Sequence, residues 1–230
     1  MNPFSQSLTK VATTLALASL ASGAFAATDY FEGWNAGSTA GWDANTIDST
    51  VVQIGAGGNP DGYLASRGPA PGTFPIGAKT ELAAATGDFS GFLWTASFDA
   101  QQFLGQSTDL ALRFRFQDST FNGWRYDFAD LPDSSGWKSY SVTFDPNWSD
   151  AQAVANGWRT DLPGGASSVS WQQNMTNVYT TEVRLDTGTD SVLGIDNFTL
   201  VSRPVPEPST YALFAAGLIG IGALARRRKA

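Results

Sequence analysis

Three short sequences set an indole beside a side-chain amide, and two of them add a guanidinium: Asn122-Gly-Trp124-Arg125, Asn147-Trp148 and Asn156-Gly-Trp158-Arg159. An exposed indole stacks on the apolar C–H face of a sugar ring, while neighbouring amide and guanidinium groups bind the hydroxyls. Trp124, Arg125, Trp148, Trp158 and Arg159 are therefore the candidate ligand-binding residues. The alternative is that most of the eight tryptophans plug the ends of the core. Trp42, Trp94 and Trp137 adjoin or lie within strand-like patterns and are expected in the core.

Catalytic chemistry finds less support. The chain has no histidine and no cysteine, which removes thiol nucleophiles, disulfides, the usual zinc and copper ligands, the commonest general base and any Ser-His-Asp triad. No G-x-S-x-G elbow, phosphate loop or metal-ligating helix motif is present. Abundant Asp keeps a two-carboxylate glycosidase open, but nothing singles out a pair. Asp118-Ser119, Asp130-Leu-Pro-Asp133 and Asp145-Pro146 read instead as turns in which Asp caps backbone amides. A non-catalytic role is expected.

These residues must be held by a core built without covalent staples. Gly at 24 and Trp at 8 are high, and charged residues make up 15%. Polar clusters separate short apolar runs, as in a loop-rich all-β protein. Net charge is −7, yet between Ala27 and Arg203 there are 20 acidic residues against nine basic. Such a surface repels phosphate backbones, so nucleic acid is not expected as a partner.

The clearest strand is Leu110 to Phe116, with Leu110, Leu112, Phe114 and Phe116 on one face and Arg113 and Arg115 on the other. The same period of two recurs in Trp137 to Phe144 and in Tyr179 to Leu185. Less regular candidates are Asp29 to Glu32, Val51 to Ile54, Tyr63 to Ser66, Leu93 to Ala100, Trp124 to Phe128 and Leu193 to Val201, about nine strands in all. No repeat and no long amphipathic helix is visible, so a two-sheet antiparallel sandwich, a jelly roll, is the expected fold. Gly55 to Gly77 is expected to form a long surface excursion broken only by the strand at Tyr63.

The two ends read differently. Met1 to Ala26 has the three parts of a secretory signal: Lys10, the apolar stretch Val11 to Leu20 and the cleavage site Ala24-Phe25-Ala26. Ser209 to Ala225 is an uncharged run of 17 residues, at the lower edge of what crosses a bilayer as a helix, and Arg226 to Lys229 would hold its end in the cytoplasm. Val205-Pro206-Glu207-Pro208-Ser209 precedes it as an extended, processable linker. Pro-Glu-Pro, a short apolar helix and an Arg-rich terminus in this order closely resemble the PEP-CTERM sorting signal. The resemblance implies recognition of Pro206, Glu207 and Pro208 by an exosortase in a Gram-negative bacterium that makes exopolysaccharide. It also implies an inner-membrane intermediate held by the C-terminal helix, then delivery to the cell surface or extracellular matrix.

A second, looser resemblance spans the middle. Tyr30-Phe31-Glu32-Gly33 followed by Gly41-Trp42, and the closing Leu193-Gly-Ile-Asp196-Asn-Phe-Thr-Leu200, look like the first and last strands of jelly-roll carbohydrate-binding modules. Phe98 to Gly105 and Gly136 to Phe144 look like the laminin IV (B)-type version of that fold. In such modules the Glu of the first strand and the Asp of the last often meet at a structural calcium ion. The matching positions are Glu32 and Asp196, with Asn59 and Asp61 as loop donors by position; calcium takes six to eight oxygen ligands.

The expected organisation is a signal peptide at 1–26, an all-β jelly-roll ectodomain at 27–203, a Pro-Glu-Pro linker at 204–209, a transmembrane helix at 210–225 and a basic cytoplasmic tail at 226–230. The first functional expectation is a polysaccharide-binding module. A structural surface or biofilm component comes second, and a polysaccharide-degrading enzyme third.

Overall fold

The computed structural model describes residues 29–68, 75–105, 107–116, 122–161, 169–187 and 190–204. The expected signal peptide, apolar span and basic tail, and Pro206, Glu207 and Pro208, lie outside these residues.

Twelve strands and two short helices follow in chain order among the described residues. They are β1 (Tyr30–Glu32), β2 (Trp42–Ala44), β3 (Thr50–Ile54), β4 (Tyr63–Gly68), β5 (Ile76–Thr80), β6 (Phe92–Leu104), β7 (Ser107–Phe116), β8 (Gly123–Phe128), β9 (Lys138–Phe144), α1 (Asp150–Ala155), β10 (Trp158–Thr160), α2 (Trp171–Met175), β11 (Val178–Thr187) and β12 (Ser191–Pro204). The first sheet runs β3-β4-β12-β6-β9, with β1 also paired to β12, and the second runs β10-β8-β7-β11-β5-β2. Every pairing is antiparallel. The fold is the expected all-β two-sheet sandwich.

Alternation decides what fills it. Leu110, Leu112 and Phe114 of β7 turn inward against Trp94, Phe98 and Phe144 of the first sheet, and all six are buried. Trp34, Trp42, Trp124, Trp158 and Trp171 join them at 1% exposure or less, so aromatic packing carries the stability that disulfides supply elsewhere. Trp158 stacks on Phe114 with centroids 5.5 Å apart and planes at 16°. The two helices close one end of this core. Each begins with a reciprocal capping box, Ser149 with Gln152 and Ser170 with Gln173. The Trp171 indole donates to Asp145 O at 2.9 Å.

The structure adds three strands to the expected nine. β2 and β10 are three residues each, too short to show a period. Gly55 to Gly77 is not one long excursion, because β5 starts at Ile76 and pairs with both β11 and β2. Gly77 erases the alternation there, and a buried clasp between the sheets explains why the segment is held. The Ser66 hydroxyl of β4 donates to Gly77 O and accepts from Gly77 N, both at 2.9 Å.

Candidate ligand-binding surface

The outer face of the second sheet carries charge where a solvated sheet would carry mixed polar groups. Register aligns one residue from each strand: Arg159 of β10, Arg125 of β8, Arg113 of β7, Glu182 of β11, Lys79 of β5 and Asp43 of β2. Five interstrand steps of about 4.8 Å make this row roughly 24 Å long. Asp109, Asp127, Asp186 and Arg184 flank it. Arg125 donates from Nε to Asp127 at 2.7 Å, from Nη1 to Asp186 at 3.4 Å, and from Nη2 to Asp109. Arg159 binds the same Asp127, and reaches Asp109 at 3.3 Å. Arg184 closes the lattice on Asp186 at 2.8 Å.

Burial grades along the row. Arg113 and Arg125 have side chains 5% and 6% exposed, whereas Asp109, Asp127 and Asp186 are near a quarter exposed and Arg159 is 52% exposed. Burial opposes the Arg125 charge, but Asp127, Asp109 and Asp186 outweigh it and hold its pKa above the ordinary value. Burial also pushes the Asp109 carboxyl up, against the pull of Arg125. Asp161, at the end of β10, pairs with the innermost guanidinium, Arg113, which also meets Glu182 at 3.1 Å. The half-exposed part is thus a set of donors and acceptors in fixed positions, suited to a ligand rich in hydroxyls.

The expected ligand residues divide accordingly. Arg125 and Arg159 lie in this lattice, and the two are directly opposed in register. Trp124 and Trp158 do not join them: both rings are 1% exposed and face the core, so neither can stack on a ligand. The reason is elementary, because both pairs belong to strands, where adjacent residues point to opposite faces. Alternation through Trp124-Arg125-Tyr126-Asp127-Phe128 was the signal for it. Trp148 is half-buried, packed at 6.0 Å on Trp171, at the helical end of the sandwich. Trp42 and Trp94 sit in the core as expected, but Trp137 does not. It lies one residue before β9, half-exposed on the outer face of the first sheet, against Tyr63 and Phe103.

Asn59, Asp61 and Asp196 come together at a break in β12. β4 pairs with β12 up to Ile195, β1 from Phe198 onward, and between them Asn197 takes φ 49° in a bulge that turns Asp196 inward. Asp196 is wholly buried, accepting from Asn59 N at 2.5 Å and Asn197 N at 2.7 Å. Burial raises its pKa, and Asp99 and Asp61 raise it further, against those two hydrogen bonds. Glu32 accepts from Trp34 N at 2.7 Å. Among the described residues no three acidic side chains converge closely enough to hold a metal ion between them. Each oxygen of Asp196 that accepts one N–H keeps a second lone pair.

The C-terminal residues settle the address. A family model described as the PEP-CTERM protein-sorting motif matches residues 204–229. The chain carries a PEP-CTERM sorting motif. The PEP-CTERM tail marks an exported protein, and the sandwich in front of it resembles known modules. The family 11 carbohydrate-binding module of the cellulosomal cellulase Lic26A-Cel5E of Clostridium thermocellum aligns at 16% identity and TM-score 0.52, over 77% of this chain and 96% of that one. The same organism's family 11 module in complex with a β-1,3-1,4-mixed-linked tetrasaccharide aligns at 17% identity and TM-score 0.50, over 75% and 95%. The CBM22-1 xylan-binding domain of Paenibacillus barcinonensis Xyn10C aligns at 12% identity and TM-score 0.49, over 76% and 94%. No curated protein matches the PEP-CTERM chain. The likeness to the family 11 modules is one of fold.

Proposed function

We propose that this exported protein is sorted by an exosortase in a Gram-negative bacterium, through an inner-membrane intermediate, to the cell surface or extracellular matrix. There its sandwich serves as a non-catalytic polysaccharide-binding module. The observation that carries the binding reading is the lattice of Arg125, Arg159, Asp109, Asp127 and Asp186 on the outer face of the second sheet, accessible at half-exposed Arg159 and at the three carboxylates. Its side chains hold one another in place, so a glycan laid across the strands meets hydrogen-bonding groups that need no further ordering. The carbohydrate-binding folds it resembles, one of them a complex with a mixed-linked tetrasaccharide, support the same ligand class.

A calcium ion at Asp196, Asp61, Asn59 and Glu32 belongs to this reading as a structural cofactor. What supports it is the negative charge that Asp99 and Asp61 add around a buried carboxylate, which a divalent cation would neutralise. The rival reading, a structural surface component without a glycan site, draws on the complete burial of six of the eight tryptophans.

Calorimetric titration with mixed-linkage β-glucan and with xylan tests the proposal. Binding that weakens about tenfold in Arg159→Ala, with no reducing ends released, is the expected result. Silence across a broad glycan array would favour the structural component, and release of reducing ends would point to an enzyme.

A further inference from the structure

On the opposite side of the sandwich, three aromatic rings meet in the open. Tyr63 of β4, Phe103 of β6 and Trp137 converge over Gly194 of β12. Tyr63 and Phe103 lie 5.3 Å apart with planes 30° from parallel, while Trp137 stands at 72° to one and 79° to the other. The result is a corner with two walls. Gly194 makes it possible, because a Cβ there would come within 2.6 Å of Phe103 and 2.7 Å of Trp137. The Trp137 Nε1 donates to Gly57 O at 3.1 Å, which fixes the upright wall.

Beside the corner opens a cleft of about 520 Å³ lined by Gln102, Phe103, Leu104, Pro132, Asp133 and Ser134. Phe103 and Leu104 are 39% and 47% exposed. Gln102, in register with the core residue Leu193, lies on the inner face of β6 and closes the floor of the cleft. Apolar aromatic walls beside an open cleft suit a polar ring with apolar faces.

We propose that this corner is a second saccharide site, which takes one neutral pyranose unit of a polysaccharide. The ring's C–H face lies on Tyr63 and Phe103, its edge meets Trp137, and its hydroxyls face the open cleft at Ser134. Because the corner and the charged row lie on opposite outer faces, the protein is bivalent and cross-links polymer chains. The inference rests on the proposed polysaccharide-binding function for its ligand class, not for its location.

The test counts sites on the full chain in detergent, by calorimetric titration with the β-1,3-1,4-linked tetrasaccharide, and follows the turbidity of mixed-linkage β-glucan. Two tetrasaccharides per chain are expected, with clouding of the polymer. Trp137→Ala reduces the count to one, weakens the lost site at least tenfold and abolishes clouding. Tyr63→Ala gives the same result with the Gly57 contact kept. Arg159→Ala should weaken the other site about tenfold and spare this one. A single site, weakened in Arg159→Ala and indifferent to both aromatic variants, overturns the second site and leaves the first reading intact. A wild type that binds no tetrasaccharide overturns both.

Discussion

Arg113 and Arg125 stand directly opposite each other on β7 and β8, two guanidiniums in register with side chains only 5% and 6% exposed. Like charges so placed repel, and Asp161 reaches both, pairing with Arg113 and lying 4.0 Å from Arg125, while Glu182 adds to Arg113 and Asp109, Asp127 and Asp186 to Arg125. Asp161→Asn is therefore expected to cost about 3–5 kcal/mol, the usual penalty for stripping one partner from a buried pair. Urea unfolding should show a lower midpoint at unchanged slope. The triple variant Arg113→Met with Asp161→Leu and Glu182→Gln should recover most of the loss. A wild-type midpoint for Asp161→Asn would mean that Glu182 alone neutralises Arg113.

Trp158 separates packing from recognition. Its ring meets Phe114, Phe144 and Trp171 with centroids 5.5, 5.5 and 4.9 Å away. Trp158→Ala should lower stability by about 3–5 kcal/mol through the cavity it leaves. At temperatures where the variant stays folded, its affinity for mixed-linkage β-glucan should match the wild type. Selective loss of affinity in a stable Trp158→Ala protein would return this ring to the ligand surface.

Asp133 keeps its charge in strong acid. The Ser135 hydroxyl, then the Ser135 N–H and Lys138, pull its pKa down to about 2. A folded-state pKa below the unfolded value contributes stability above the ordinary carboxylate range, and that contribution is lost as pH falls through about 2. The group is fully exposed, so the effect is local to the turn. Carboxyl NMR titration should give a midpoint near 2 in the wild type and a higher one in Ser135→Ala. An ordinary midpoint in the wild type would show that the turn does not form.

Calcium should act through the break in β12. At a concentration near 100 times its Kd, an ion bound only to the folded state stabilises by about 2.7 kcal/mol, which raises Tm by roughly 5–10 °C in a chain of this size. Chelator should reverse the rise, and Asp196→Asn should show none. If the wild type fails to respond, the hydrogen bonds of Asn59 and Asn197 to Asp196 hold the corner without a metal.

What the sequence by itself determined was whatever is local or contiguous. The sorting motif is a linear signal, readable without a fold. Alternation in Leu110 to Phe116 defined a half-buried strand, and the absence of Cys and His removed whole classes of chemistry. Trp137 shows the limit: its neighbours Ser139 to Phe144 alternate cleanly, yet it falls just before the strand, and Gly194, 57 residues on, leaves the space its ring fills.

Only the tertiary structure decided the surfaces. The charged row joins Asp43 to Arg159 across six strands, and a one-residue shift in any pairing would turn a charge into the core. Ser66 clasps Gly77 between two sheets, a contact with no local signature. Register and sheet order are set by the summed burial of many distant side chains, so no single segment carries them. The candidates Arg125 and Arg159 meet only through that register, whereas local alternation alone turns the indoles beside them into the core.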